Sequence, residues 1–227
     1  MEQTKIWAHF QRPETDAFAN AEARYRTLVN LAARSAQRGR VLNVGIGGGG
    51  VERRFAGLGW EVASLDPDPK SVERLRATGV DARCGYLQDL PFDAAQFDSI
   101  VISEVLEHVA DADRPTAVAE LRRVVRAGGL LVGTVPYREN LADQETVCPA
   151  CGDVFHRWGH VASFDEASVR LLLGGRFDVL RCAPRCFVHW TRPMGPRRLL
   201  KNVAKLMLGR LGEPIVAPSL LFVARAT

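Results

Sequence analysis

Apolar residues along this chain fall into two patterns that alternate through most of the sequence. Short continuous apolar runs bounded by glycine, proline or aspartate predict buried strands, and apolar residues spaced three or four apart predict helices. The predicted strands are residues 40–45, 60–66, 80–84, 97–103, 130–135, 177–182 and 219–226. The predicted helices are residues 14–37, 50–58, 68–79, 113–129 and 165–174. This alternation predicts an α/β fold, a doubly wound and mostly parallel sheet of seven strands covered on both faces.

The regular alternation stops after the fifth predicted strand, which divides the domain into three parts. Residues 1–39 are predicted to form an N-terminal helical cap, residues 40–136 the core of the sheet, and residues 137–227 the remainder. The last part contains two inserts, residues 137–162 and residues 184–217. Inserts in such a fold usually carry substrate specificity. We therefore expect the cap and both inserts to cover the active site.

The composition suits a single globular domain. The chain has 227 residues and a mass of 25.0 kDa, and its hydrophobic fraction of 47% supports a sizeable core. No stretch reaches the roughly 18–20 apolar residues of a membrane-spanning helix, and the N-terminus lacks the apolar core of a signal peptide. Five cysteines, an odd number, argue against a disulfide framework. We therefore expect a cytoplasmic protein.

A glycine-rich loop joins the first predicted strand to the next helix, in the stretch RVLNVGIGGGGVERRF. Gly45, Gly47 and Gly50 satisfy the dinucleotide pattern G-x-G-x-x-G, and Asp66, about 20 residues further on, suits a ribose hydroxyl. These residues alone support an NAD-dependent oxidoreductase. Gly45, Gly47 and Gly49 equally satisfy the G-x-G-x-G loop of S-adenosylmethionine (SAM) enzymes. The loop by itself leaves both hypotheses open.

The loop and three further motifs follow one another across about residues 40–136: VLNVGIGGG, VASLDPD, LQDLPFDAAQFDSIVISEVLEHV and ELRRVVRAGGLLVGTVP. Together they resemble the class I SAM-dependent methyltransferases, especially the small-molecule group that includes ubiquinone and menaquinone methyltransferases. The resemblance implies SAM as cofactor and in-line methyl transfer. We expect the acceptor to be an oxygen of a small molecule, a sugar or a lipid-linked intermediate, and N-methylation is less favoured. A non-catalytic SAM-binding protein is the remaining alternative.

The resemblance also implies roles for individual residues. The glycines would lie beneath the methionine part of SAM, Asp66 would accept hydrogen bonds from both ribose hydroxyls, and Ser103 would lie near the reactive methyl group. Asn43 stands where relatives usually carry an acid, and Tyr86 where they often carry an aspartate. We therefore expect SAM binding that is weaker or differently built. The implied cofactor-binding residues are Asn43, Gly45, Gly47, Gly49, Asp66, Pro67, Tyr86, Leu87, Gln88 and Ser103.

Methyl transfer to a hydroxyl group needs a base that removes the proton. The candidates are His108, in the family's recurrent EHV segment, and His160, which falls where relatives often have histidine near the substrate. A purely structural role for His108 is equally open. Glu104 is a third candidate because the resemblance places it near the reactive methyl group. Glu107 is expected to face outward or to form a salt bridge.

The first insert contains a candidate metal site in the stretch CPACGDVFHRWGH. The spacing C-x2-C-x4-H-x3-H offers four ligands within thirteen residues, which predicts a structural zinc ion. Cys182 and Cys186 could instead supply the second pair, or the two cysteines of the insert could be reduced thiols in a surface loop. The predicted ligands are Cys148, Cys151, His156 and His160.

Positive charge is concentrated in one segment. The chain has a net charge of +4, and residues 176–210 alone contain nine Lys/Arg and one acid. Within it, residues 196–212 form a basic amphipathic helix when placed on a helical wheel. Such a helix can lie on an anionic membrane surface, can pack its apolar face on the domain, or can attract an anionic substrate. The segment lacks the interleaved aromatic residues typical of nucleic-acid binding, so we expect no nucleic-acid partner.

Overall fold

The computed structural model describes residues 3–12, 15, 17–18, 20–35, 39–188, 195–213, 216 and 218–227. The helices within these residues are α1 (Gln3–Phe10), α2 (Glu22–Ala32), α3 (Gly50–Gly57), α4 (Pro69–Arg76), α5 (Arg114–Val124), α6 (Glu166–Leu173) and α7 (Pro196–Arg210). The strands are β1 (Arg40–Val44), β2 (Glu61–Asp66), β3 (Asp81–Cys84), β4 (Phe97–Ser103), β5 (Val125–Pro136), β6 (Glu145–Val147), β7 (Val154–His156), β8 (Phe177–Arg185) and β9 (Ser219–Ala226). No helix within the described ranges is long and apolar enough to cross a lipid bilayer.

Seven strands form one sheet in the order β3-β2-β1-β4-β5-β9-β8. Strands β1 to β5 run parallel, whereas β9 is antiparallel to both β5 and β8. The predicted fold class, a doubly wound and mostly parallel sheet of seven strands, is therefore confirmed. The strand order reverses between β1 and β4, and in open α/β sheets this point forms a crevice beyond the carboxyl ends of the strands.

Both faces of the sheet are covered because side chains alternate along each strand. Leu42 of β1 belongs to the larger apolar cluster on one face, with Leu121 of α5. Its neighbour Val41 belongs to the cluster on the other face, with Leu28 of α2 and Phe55 of α3. All five side chains are fully buried. Strands buried on both faces read as continuous apolar runs, which is why the central strands were predictable.

The largest error in the predicted elements is the helix over residues 113–129. Helix α5 ends at Val124, and Val125 already pairs with Phe97 as the first residue of β5. Gly129, the last residue of the predicted helix, lies within β5, where an added Cβ atom would be 2.8 Å from the Asp98 carbonyl oxygen. Gly129 therefore permits close approach of two strands rather than the end of a helix.

Three smaller differences concern the termini and the first insert. Residues 3–10 form a helix, α1, that the apolar pattern did not predict. The helix predicted over residues 14–37 is shorter, α2, and residues 14, 16, 19 and 36–37 of that prediction lie outside the described residues. The first insert was predicted to be irregular but contains a hairpin, because β6 pairs antiparallel with β7.

A glycine in the middle of β5 provides a test of the packing between strands. A Cβ atom at Gly133 would lie 2.4 Å from Cζ of Phe222 and 2.6 Å from the carbonyl oxygen of Ile102. Gly133→Ala is therefore expected to lower the free energy of unfolding by about 1–3 kcal/mol through overpacking, measured by urea denaturation.

Gly57, in α3, provides the matched control because no atom lies within 4 Å of the position of its added Cβ. Gly57→Ala should leave stability unchanged or raise it by about 0.5–1 kcal/mol, since alanine is the better helix former. Equal stability of the Gly133→Ala variant and the wild-type protein would contradict this account of the sheet.

Candidate active site

A cavity of about 490 Å³ opens at the carboxyl ends of β1, β2 and β4. Its walls come from the loops that follow these strands, from α1 and α2, and from the first insert. It lies at the point where the strand order reverses, as expected for a ligand site in an open α/β sheet. The lining residues that carry polar or aromatic side chains are Trp7, Phe10, Gln11, Phe18, Arg24, Tyr25, Asp66, Tyr86, Gln88, Ser103, Glu104, His108, Asp113, Glu139, Trp158 and His160.

The glycine loop forms one wall of this cavity with its backbone. Gly45 and Gly47 line the cavity, with φ angles of +85° and +52° that disfavour residues with a side chain. A Cβ atom at Gly45 would lie 2.9 Å from Val105, and one at Gly47 would lie 3.1 Å from Phe18. Glycine at these positions therefore keeps the loop close to its neighbours while its backbone stays open to a ligand.

Two residues predicted to bind the cofactor lie outside the cavity wall. Gly49 has a φ angle of +69° and begins α3 as its N-cap residue. Asn43 has no exposed surface, and its amide donates to a carboxylate oxygen of Glu52 at 2.6 Å and to the Gly45 carbonyl at 3.1 Å. Ser64 donates to the same Glu52 oxygen. In this structure Asn43 anchors the loop from behind and is not part of the cavity wall.

Asp66, at the end of β2, places a carboxylate with several hydrogen-bond donors in the cavity wall. Its two carboxylate oxygens accept from the backbone N–H groups of Ile46 at 2.8 Å and Asp68 at 2.9 Å. The side-chain amide of Gln11 also donates to both oxygens, at 3.0 Å and 3.1 Å. Burial raises the pKa of Asp66 even though these donors favour its ionised form. The backbone contacts fix the carboxylate in one orientation.

Four more of the predicted cofactor-binding residues line the same wall. Pro67 follows Asp66, and Tyr86, Leu87 and Gln88 come from the loop after β3. Tyr86 is 52% exposed, so its ring is available for stacking rather than committed to the core. Ser103, at the end of β4, lies between this wall and the opposite end, with its hydroxyl 3.4 Å from that of Thr134. The structure thus brings eight of the ten predicted residues to one cavity.

The opposite end of the cavity holds histidine and glutamate side chains. His108 and His160 both line the cavity, and their ring centroids are 4.8 Å apart. Nδ1 of His160 lies 2.5 Å from a carboxylate oxygen of Glu139. The ring of His156 stacks on that of His160, with centroids 4.6 Å apart. Glu139 was not identified from the sequence, because an isolated acid in an irregular insert carries no signal of its partners.

His108 has two neighbours at Nδ1 that require opposite protonation states. The indole N–H of Trp7 donates to this nitrogen at 3.2 Å, which requires that Nδ1 carry no proton. The carbonyl oxygen of Gly159 lies 3.1 Å from the same atom and requires a proton there. Burial, and to a lesser degree the neighbouring His160, lower the pKa of His108 to about 4. The ring is therefore neutral at pH 7 and is a weak base.

Helix α1 lies over the cavity and contacts both of its ends. Gln11, directly after α1, pairs with Asp66, and its backbone carbonyl accepts from Arg74 of α4 at 3.0 Å. Trp7 reaches His108, and the ring of Phe10 lies 4.5 Å from that of Trp158 in the first insert. Trp7, Phe10 and Trp158 thereby place aromatic rings along the cavity wall near His108.

Glu104 lies between the two ends and has a strained backbone. Its φ angle of +55° is uncommon for a residue with a side chain. Its Oε1 atom is buried without a hydrogen-bond partner, and the nearest cation is the Arg24 guanidinium, 3.9 Å away. An incompletely paired carboxylate in a cavity wall favours a positively charged ligand.

Glu107 contradicts its sequence-based prediction. It is 0% exposed rather than facing outward, and neither of its carboxylate oxygens has a hydrogen-bond partner. Burial, with a further contribution from Glu104, raises the pKa of Glu107 well above its ordinary value of 4.5. The ionised form of this side chain is therefore costly in the folded protein.

The predicted zinc set is also not assembled. Cys148 and Cys151 lie at the tip of the hairpin, beyond the paired Val147 and Val154. His156 lies at the base of the hairpin, and His160 follows it; both approach Glu139 instead. Among the described residues, no group of possible metal ligands joins a cysteine to these histidines, or Cys182 and Cys186 to the hairpin pair. The structure therefore does not bring the four predicted zinc ligands together.

Comparisons with known proteins bear on this geometry. Residues 42–133 match a family model described as a methyltransferase domain. The chain is 29% identical over 180 residues to the ubiquinone biosynthesis O-methyltransferase of Methylocella silvestris. The aligned region covers 77% of this chain and 59% of that relative. The 1,6-didemethyltoxoflavin-N1-methyltransferase of Burkholderia thailandensis, solved with 1,6-didemethyltoxoflavin and S-adenosylhomocysteine, superposes with a TM-score of 0.67 at 16% identity, covering 99% of this chain and 87% of that chain. The N-methyltransferase NodS of Bradyrhizobium japonicum, in complex with S-adenosylhomocysteine, gives a TM-score of 0.63 at 17% identity, covering 99% of this chain and 96% of that chain.

The match over residues 42–133 and the named relative together support a class I SAM-dependent methyltransferase. The matched residues 42–133 include the glycine loop, Asp66 and the strands that build the cavity. This match decides between the two enzymes that the loop alone left open, in favour of the methyltransferase. The chain spans about three fifths of the length of the Methylocella relative (59%), and the two solved structures, with low sequence identity, establish the fold.

The buried Glu107 leads to a prediction about stability and pH. Its raised pKa means that the folded state binds this proton more tightly than the unfolded state, so stability is lost as pH rises above about 4.5. Glu107→Gln removes this titration. We expect the variant to be more stable than the wild-type protein at pH 8, with a difference that shrinks toward pH 4, measured by urea denaturation across that range.

Glu120 provides a control of opposite sign. The hydrogen bond from Arg123 lowers the pKa of Glu120, so its contribution is present at neutral pH and is lost as pH falls. Glu120→Gln should therefore be less stable than the wild-type protein at neutral pH and should approach it in acid. A Glu107→Gln variant whose stability relative to wild type does not change with pH would contradict the assignment.

Proposed function

We propose that the protein transfers the methyl group of SAM to a hydroxyl oxygen of a small molecule, a sugar or a lipid-linked intermediate, with His160 as the general base. One observation carries this proposal. Eight of the ten predicted SAM-binding residues and the Glu139–His160 pair line a single cavity of about 490 Å³. A donor and an acceptor bound in one cavity can be held in line, which supplies much of the rate enhancement in such a reaction.

The residues at the first end fit SAM on three observations. The carboxylate of Asp66 is oriented by two backbone amides, as recognition of a ribose diol requires. The cavity wall at Gly45 and Gly47 is backbone without side chains. Oε1 of Glu104 has no hydrogen-bond partner and only a distant cation, Arg24 at 3.9 Å, which suits a positively charged sulfonium. Bound SAM supplies an electrophilic methyl group, so the protein needs only to position and deprotonate the acceptor.

His160 is the better base of the two histidines. Glu139 is an acceptor for Nδ1–H of His160 at 2.5 Å, which leaves Nε2 as the ring nitrogen available to an acceptor hydroxyl. This is the arrangement of a carboxylate-oriented histidine base. His108, with a pKa of about 4, is poorly matched to proton removal at neutral pH. We assign His108 to shaping the acceptor site.

The preference for oxygen over nitrogen rests on relatives rather than on geometry. The Methylocella relative is named as an O-methyltransferase of ubiquinone biosynthesis. The two N-methyltransferases among the solved structures share the fold with this chain. Their sequence identities of 16% and 17% are too low to indicate a shared substrate. A histidine base also fits a hydroxyl acceptor better than a neutral amine, which carries its own lone pair.

Helix α7 supports the lipid-linked form of the proposal. Its apolar side chains were expected either to pack on the domain or to face a membrane. Among the described side chains, Leu200 is 71% exposed, Met207 is 57% exposed, and Leu211, just after the helix, is 76% exposed. Lys201 and Arg210 are exposed on the same helix. An exposed apolar stripe beside basic residues is typical of a helix that lies on an anionic membrane surface, so we include peripheral membrane contact in the proposal.

The SAM part of the proposal is tested by Asp66→Ala. Loss of the hydrogen bonds to a charged group is expected to weaken S-adenosylhomocysteine binding by about 10- to 100-fold, measured by calorimetric titration with NAD as the negative ligand. The same variant should lose transfer of labelled methyl from SAM into an extract of the host. Glu61→Ala, an exposed acid at the other end of the same strand β2, should leave both measurements unchanged.

Two outcomes would overturn this part. Equal affinity of the Asp66→Ala and wild-type proteins would remove Asp66 from the binding site. Binding of S-adenosylhomocysteine without label in any fraction of the extract would favour a non-catalytic SAM-binding protein.

The membrane part is tested by sedimentation with lipid vesicles. The wild-type protein is expected to bind vesicles that contain phosphatidylglycerol and to bind phosphatidylcholine vesicles less. The double change Leu200→Ser and Met207→Ser should reduce binding about tenfold through lost apolar burial. Leu171→Ser changes an apolar residue of α6 that is 84% exposed and should have no effect. Equal sedimentation of all three proteins would contradict the role of α7.

A further inference from the structure

We propose that His156 is a positioning residue that fixes, through Glu139, which ring nitrogen His160 presents to the acceptor. The inference rests on the proposed function, because it assigns a partner to the base of that site. His156 does not line the cavity, whereas Glu139 and His160 do. Its effect on the reaction must therefore pass through these two residues.

The backbone around His156 determines where its own proton lies. Nδ1 of His156 accepts from the backbone N–H groups of Trp158 at 3.3 Å and His160 at 3.2 Å. A nitrogen that faces two donors carries no proton, so the neutral ring carries its proton on Nε2. The turn is closed by a hydrogen bond from Gly159 N–H to the His156 carbonyl at 2.9 Å, with Gly159 at a φ angle of +77°. Burial lowers the pKa of His156, which keeps the ring neutral at pH 7.

Glu139 connects the two rings. Its Oε1 lies 3.5 Å from Nε2 of His156, and its Oε2 lies 2.5 Å from Nδ1 of His160. The His156 contact is longer than an ordinary hydrogen bond, and Nε2 has no other partner. The attraction between the Nε2–H group of His156 and the carboxylate of Glu139 is therefore mainly electrostatic. An ionised carboxylate can only accept, so both ring N–H groups point toward it.

Packing holds this arrangement in place. The side chains of His156, Glu139 and His160 are 6%, 17% and 11% exposed, and the two rings stack at an angle of 19°. With its oxygens turned toward the two rings, Glu139 cannot rotate without separating from one of them. His160 therefore keeps its proton on Nδ1, and Nε2 remains free for the acceptor hydroxyl.

The same three side chains have the composition of a metal site, and the proton positions argue against that use. Their ligand atoms all lie within 4.8 Å of one another. A metal-bound histidine donates its other ring N–H to an acceptor. A metal on Nε2 of His156 would place that proton on Nδ1, where two backbone donors already point. The geometry thus favours an oriented base over a metal ligand.

The proposal is tested by the protonation pattern of His160, which needs no substrate. Long-range ¹H–¹⁵N correlation spectra of the full chain labelled with ¹⁵N-histidine show which ring nitrogen carries the proton, and a His160→Asn variant identifies the signal. We expect the Nδ1–H form in the wild-type protein. His156→Leu removes the donor to Glu139 and should shift the tautomer ratio toward Nε2–H by about two- to tenfold. His156→Gln, whose amide can place an N–H near the position of Nε2, should retain the wild-type pattern.

The design separates this inference from the proposed function. S-adenosylhomocysteine affinity, measured on the same samples, should be equal in the wild-type and His156 variants, and methyl transfer should fall in His156→Leu and recover in His156→Gln. If the wild-type protein does not bind S-adenosylhomocysteine, the proposed function is contradicted, whereas the tautomer measurement still tests the role of His156. If His156→Leu does not fold, Glu139→Gln tests the same connection and should also shift His160 toward Nε2–H.

Three results would overturn the inference. The first is an Nε2–H form of His160 in the wild-type protein. The second is a tautomer ratio that does not change in a folded His156→Leu or Glu139→Gln variant. The third is a histidine spectrum of the wild-type protein that changes on addition of Zn²⁺ at stoichiometric concentration and reverts with chelator, which would assign the cluster to a metal.

Discussion

The parallel pairing of β1 with β2 on one side and with β4 on the other is the constraint on which the site depends. The register places Val44 of β1 opposite Leu65 and Ile102, so all three strands end at one edge. After β1 the chain continues to β2, and after β4 it continues to β5, in the opposite direction along the sheet. A crevice therefore remains between the loops that follow β1 and β4. Asp66 and the glycine loop meet at this crevice, although no long-range sequence motif indicates that they are in contact.

Burial of charge explains the character of the cavity. Glu52 and Glu107 are both buried near the cavity. Oε1 of Glu52 accepts from Asn43 and Ser64, whereas its Oε2 and both oxygens of Glu107 have no hydrogen-bond partner. Buried carboxylates with missing hydrogen bonds lower the stability of the folded state, and a protein with fewer of them would be more stable. Their concentration around one cavity, together with the positive φ angle of Glu104, indicates that this region is shaped by its ligands as well as by packing.

The sequence alone predicted the fold and the cofactor end well, and the acceptor end poorly. Residues such as Gly45 and Asp66 belong to a local strand–turn–helix unit whose geometry follows from its own backbone, so their positions could be predicted. Glu139 meets His160 only because the β6–β7 hairpin brings the two ends of the first insert together, and no local pattern indicates that contact. The boundary after Val124 was missed for the same reason, since pairing with Phe97 outweighed helical spacing.

The N-terminal helix connects two events that are chemically separate. Gln11 occupies both oxygens of Asp66, and Trp7, one helical turn earlier, donates to His108. A displacement of α1 that frees the carboxylate for a ribose also removes a neighbour from the acceptor site. The two ends of the cavity are thereby connected through one helix.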